Sequence, residues 1–102
     1  MQDTALRIDK WLWYARFYKS RSLAAKHVQA GEIRVNSQRI SKSSVVLKVG
    51  DVLTFALGDT VRVVEVAALG DRRGPAPEAR LLYHDLAGQI AASRNRPGIA
   101  AE

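Results

Sequence analysis

Between Arg7 and Asn36 the chain reads RIDKWLWYARFYKSRSLAAKHVQAGEIRVN, with basic and aromatic side chains interleaved. Guanidinium groups can hold a phosphate through two parallel N–H donors, and aromatic rings can stack on bases. The spacing therefore points to recognition of a polyanion, not to bond-making chemistry. Residues 1–48 hold ten Lys/Arg against three acids, a charge of +7, whereas residues 49–102 hold six Arg against seven acids, a charge of −1. Scattered Lys and Arg usually form a solvated face. Three features raise a binding face above that reading: the excess is confined to half the chain, aromatics lie within it, and Arg outnumbers Lys in the chain.

Other chemistries lack residues. His27 and His84 are far apart and neither has a metal-ligand spacing. Lone histidines are more often packed than catalytic, and His27 falls on an apolar helical stripe. The serines have no nucleophile-elbow context, and Gly58 and Gly70 are too isolated for a phosphate loop. With no cysteine there is no disulfide framework and no zinc finger. No catalytic residue, metal, cofactor or small-molecule substrate is expected. A chain of 102 residues has room for one domain, and its pI near 10.2 fits nucleic acid or an anionic membrane. The membrane is disfavoured because the longest apolar run, Trp11–Ala15, is short and the helical charges do not segregate to one side. A reducing cytoplasm is the expected compartment.

The elements that must position these groups follow from periodicity. Asp9 is expected to cap a helix over Lys10–Tyr18, with Leu12 and Ala15 in the core and Trp13 stacked on Phe17. Lys10, Arg16 and Lys19 supply charge beside the aromatics. Ser20 or Ser22 caps a second helix to Ala30, whose inner stripe is Leu23, Ala24, His27 and Val28, and Gly31 ends it. The period then changes to two. Ile33, Val35 and Ile40 alternate with charged residues around an Asn36-Ser37 turn. Strands are expected over Val45–Val49, Val52–Leu57, Val61–Val66 and Ala79–His84, with a loop over Leu69–Pro77. Residues 1–6 and 87–102 are expected to be flexible ends of a domain spanning 7–86, with its motif core at 7–55. The order helix, helix, strands implies an α+β fold, with the helices on one side of a small twisted antiparallel sheet.

These residues also carry a family resemblance. Arg7-Ile8-Asp9-Lys10-Trp11-Leu12, Arg16-Phe17, Ser20-Arg21-Ser22-Leu23-Ala24, Gly31, Val35-Asn36 and Val49-Gly50-Asp51 resemble the RNA-binding domain shared with small-subunit ribosomal protein S-four. The first segments are most similar to the fifteen-kilodalton heat-shock protein family of that superfamily. Ser37 stands where that family usually has Gly, and Ser43 where Pro is common. The resemblance implies a two-helix αL-type motif with a β-turn, which grips structured RNA by shape and backbone. It implies association with ribosomal RNA of the large subunit carrying a stalled nascent chain, in rescue or recycling, with tRNA there as a second candidate partner. By the match Arg7, Lys10, Arg16, Ser20, Arg21, Lys26, Asn36 and Arg39 are the contact positions. Arg7 and Arg21 would meet phosphates, Ser20 would cap the second helix near one, and Asn36 would hold the turn that presents Arg34, Gln38 and Arg39. Lys19 lies within the same run, and Lys42 continues the charge past the hairpin. A monomer is expected. The rival readings are a DNA-binding helix-turn-helix, which the small residues of the second helix disfavour, and a protein-docking module using the aromatic first helix.

Overall fold

The computed structural model describes residues 5–86. Strand β1 (Leu6–Arg7) leads directly into helix α1 (Ile8–Tyr14), followed by α2 (Arg21–Gln29). The hairpin β2 (Ile33–Val35) and β3 (Gln38–Ile40) comes next, then β4 (Val46–Leu47), β5 (Val52–Leu57) and β6 (Thr60–Val66). A short helix α3 (Ala76–Ala79), one 3₁₀ turn (Arg80–Leu82) and β7 (Tyr83–Asp85) complete the described residues. Five strands form an antiparallel sheet in the order β3-β2-β5-β6-β7, and β1 pairs with β4 in a separate two-stranded ribbon. The fold is α+β, as the order of periodicities implied.

Helix α1 is shorter than its apolar pattern, and its ends explain why. Arg7, not Asp9, is the N-cap, and Asp9 lies in the first turn, buried. At the far end Arg16 adopts φ 67, Arg16 N–H donates to Trp13 at 3.1 Å, and Phe17 N–H donates to Leu12 at 3.1 Å. These are the paired bonds of a left-handed helix stop. The chain is thus turned at Arg16, and α1 ends at Tyr14, four residues before the expected end at Tyr18. Trp13 and Phe17 consequently do not stack; Phe17 packs instead on Trp11, Phe55 and Tyr83. Helix α2 ends by the same pair of bonds, Gly31 to Val28 at 2.9 Å and Glu32 to His27 at 3.3 Å, with Gly31 at φ 76. Its start is capped by Ser20, whose hydroxyl accepts from Leu23 N–H at 3.1 Å, so Ser22 is not the cap.

Two more departures are local. Only Val46–Leu47 of the expected strand Val45–Val49 is extended, because its partner β1 has just two residues. The strand expected over Ala79–His84 is confined to its end, since Pro75 and Pro77 start a helical turn: neither needs an N–H there. The tail from residue 87, with Arg94 and Arg96, lies outside the described residues.

Ile8, Trp11 and Leu12 of α1 and Ala24 and Val28 of α2 bury fully against Ile33, Leu47, Leu53 and Val64. Trp11 adds a directed bond, its indole N–H donating to the Ala68 carbonyl at 2.9 Å. That bond fixes α1 to the segment leaving β6, and with it every side chain that α1 turns outward.

Candidate nucleic-acid interface

The focus of the basic face is a buried acid. Asp9 is 3% exposed. Its carboxylate accepts from Arg7 Nε at 3.2 Å and Nη2 at 3.0 Å, and Arg21 Nε stands 3.6 Å away. A buried carboxylate must be paired, and here two guanidiniums from two elements share it. Their side chains remain 46% and 42% exposed, so both groups are oriented while their outer donors stay open to solvent. The backbone of Arg7 is held as well: it pairs with Val46 in the β1–β4 ribbon, and the next amide, Ile8 N–H, donates to Val45 at 2.7 Å. Arg21 opens α2 directly after the Ser20 cap. The first turn of any helix leaves amides without an intrahelical partner and carries a partial positive charge, so both arginines surround an anion-attracting helix start.

The hairpin forms the second part. Asn36 and Ser37 both have positive φ, 50 and 73, so the turn has the mirror geometry that suits two-residue hairpins even with Ser where Gly is usual. Asn36 ties this turn to the next: its backbone N–H donates to Val52 at 2.7 Å, its side-chain oxygen accepts from Val52 N–H at 2.9 Å, and its Nδ2 donates to Asp51 at 3.1 Å. Asp51 in turn accepts from Lys48 N–H at 2.9 Å. Within this frame Arg34 and Arg39 stand directly opposite each other across the strands, both exposed. Like charges in that relation destabilise a sheet, and an anion between or above them removes the penalty. The Arg39 guanidinium folds over Gly31, where an added Cβ would stand 2.5 Å from its Nη2. Gln38, Lys19, Lys26 and Lys42 are exposed, and Lys10 is half-buried with its ammonium 5.9 Å from the Tyr14 ring centroid.

Arg16 does not share the Asp9 junction. It lies at the opposite end of α1, where its Nε donates to the Gly74 carbonyl at 2.6 Å. Arg73 joins α1 from the same loop, donating to the Trp13 carbonyl at 3.1 Å with its guanidinium 5.8 Å from the Trp13 ring. Sequence reasoning missed Arg73 because the second half of the chain has no positive excess and the loop looked merely polar. The arrangement of Asp9 was missed for another reason: a short acid before a helix reads as a cap, and only the facing helix supplies the second arginine. His27 is half-buried as expected, stacked on Tyr18 at 4.9 Å with Nδ1 2.7 Å from Glu32. The Tyr18 hydroxyl is buried without a hydrogen-bond partner among the described residues, and burial, aided by the Glu32 charge, pushes its pKa up to about 12.

The groups of three or more His, Cys, Asp or Glu that could hold a metal are absent among the described residues, and no described helix is long and apolar enough to cross a membrane. What the surface offers is fixed guanidiniums, the Ser20-capped start of α2 and an anchored turn.

Comparison with known proteins places the chain in a family. The S4 domain family model covers residues 6–53, which include both helices, the hairpin and the Asn36–Asp51 link. Heat shock protein 15 of Escherichia coli K12 is 44% identical over 85 residues, covering 83% of this chain and 63% of that one. The Haemophilus influenzae homolog is 42% identical over 85 residues, with 83% and 64% covered. The chain thus spans just under two thirds of the length of these relatives. The RQC P-site tRNA stabilizing factor of Bacillus subtilis is 38% identical over 66 residues, 65% of this chain and 76% of that one. The solved structure of Vibrio cholerae heat shock protein 15, described as trimeric, superposes with a TM-score of 0.79 at 37% identity, covering 96% of this chain and 99% of that chain. The monomer expected from the sequence gains no support from that neighbour. With the two-helix motif, the hairpin and the sheet all shared at this identity, the chain belongs to the heat shock protein 15 family of S4-domain proteins.

Proposed function

We propose that the protein binds structured ribosomal RNA on the large subunit, where a stalled nascent chain is still attached, and acts in its rescue or recycling. The observation that carries the reading is the Asp9 junction, which aims two half-exposed arginines from the starts of α1 and α2. Such an array suits RNA recognised by shape and backbone. Arg7 and Arg21 contact phosphates, with the Ser20-capped start of α2 beside them. Lys10, Lys19 and Lys26 extend the positive field along the helices. Arg34, Gln38 and Arg39 reach RNA from the hairpin that Asn36 holds, Lys42 from just past its second strand, and Arg16 from the far end of α1. The factor named for P-site tRNA among the relatives supports tRNA as a further contact. Binding alone accounts for the activity, in the cytoplasm and without a cofactor.

Sucrose-gradient sedimentation of large subunits with the protein and with Arg21→Ala tests the assignment. A lost charge-assisted contact weakens binding about ten- to a hundredfold, while the domain stays folded because Arg7 still pairs Asp9. Unaltered co-sedimentation of the variant refutes the site. Preference for duplex DNA over structured RNA at fixed salt would favour the helix-turn-helix reading instead.

A further inference from the structure

A cleft of about 200 Å³ opens at the C-terminal end of α1, away from the Asp9 junction, and three arginines line it: Arg16, Arg62 and Arg80. Its walls include the rings of Phe17 and Tyr83, and the alanines of α3 leave its mouth wide. Arg16 enters from a left-handed backbone at φ 67. Gly31 fills the equivalent stop position of α2, whereas an arginine there costs about 1–2 kcal/mol of backbone strain. Its Nε is spent on the Gly74 carbonyl at 2.6 Å, which fixes the guanidinium and leaves the terminal nitrogens. Arg62 is positioned twice, by Asp85 at 3.1 Å and by the face of Phe17 at 5.1 Å. Arg80 is exposed and makes no ion pair among the described residues. Three arginines therefore line one cleft, and the ion pair among them is that of Arg62 with Asp85. Strain retained at a cleft is a mark of function.

We propose that this cleft is an oxyanion site for a phosphoryl group. Guanidinium donors suit the tetrahedral oxygens of phosphate. The cleft is smaller than the roughly 300 Å³ from which sites for whole drug-sized ligands begin, so one phosphoryl group fits better than a whole nucleotide. The source is either a backbone phosphate of bound RNA or a free phosphate or monoester. The site stands on its own geometry and does not require the helix-pair reading.

The test is a titration of the isotope-labelled full chain with inorganic phosphate at constant ionic strength, followed through the arginine Nε–H signals. Saturable shifts confined to Arg16, Arg62 and Arg80 are expected, and Arg80→Ala weakens them about tenfold, equivalent to ~1.4 kcal/mol. Absence of shifts, or equal shifts at all arginines, overturns the site even if the protein still binds RNA through its helices. If Arg80→Ala also lowers the log–log salt slope for structured RNA by about 0.7–0.9, the site takes a backbone phosphate. Phosphate shifts with an unchanged RNA slope support the same site with a free phosphoryl ligand.

Discussion

At the scale of single residues, two buried polar groups behave in opposite ways. Asp9 is buried and served by two arginines, so it converts burial into orientation. Asp9→Asn keeps the shape but removes the charge and turns a donor toward the guanidiniums. It is expected to destabilise the fold by about 1–3 kcal/mol in urea unfolding and to weaken RNA binding although no proposed contact is deleted. An unchanged affinity would separate the junction from binding. Tyr18 is buried with its hydroxyl unserved. Its pKa rises from 10.0 to about 12, chiefly through burial. The unfolded chain therefore ionises first as pH rises, and the contribution, fully present below pH ~10, is lost between roughly pH 10 and 12, by about 2–3 kcal/mol. Tyr18→Phe should leave stability at pH 7 equal or higher, because it removes an unpaired polar atom, and should lose less between pH 8 and 11. Equal losses in both proteins, measured as urea midpoints, would assign the alkaline instability elsewhere.

Elements are set mainly by how they stop. Both helices end in the left-handed turn, one on Gly31 and one on Arg16, and these stops decide which side chains face the core. Gly31 has a second duty, since Arg39 packs over it. Gly31→Ala is expected to cost about 1–2 kcal/mol from the positive φ alone and to push the Arg39 guanidinium away. Urea unfolding reads the first effect and RNA affinity the second; a variant as stable as the parent would show that the turn relaxes freely. The hairpin turn likewise accepts Ser37 at φ 73 because Asn36 is anchored on both sides by Val52 and Asp51.

For the whole molecule, the uneven charge ledger of the sequence is only half of the surface. The tertiary fold returns Arg73 to Trp13 and gathers Arg62 and Arg80 beside Arg16, all from the part of the chain with no positive excess. If five or six phosphates are neutralised, the log–log salt dependence of RNA binding has a slope of roughly −4 to −5. Filter-binding or anisotropy titrations across salt measure it, and a slope near zero would remove phosphate contacts as the source of affinity.

The residues alone determined the α+β class, the Gly31 stop, the Asn36 turn and the strands β5 and β6, because each rests on local periodicity or on a residue with a conformational specialty; the choice of Ser20 over Ser22 as cap came from the structure. Types and spacing also pointed to a polyanion partner, and the family resemblance to Arg7 and Arg21 as proposed contacts. Sequence could not place the end of α1, since an arginine in a glycine-like stop has no local signature. Nor could it reveal β1, two residues long and paired with β4, forty residues away. The double use of Asp9 and the convergence of Arg16, Arg62 and Arg80 were decided by tertiary packing, because their partners lie on different elements and meet only once the core has closed.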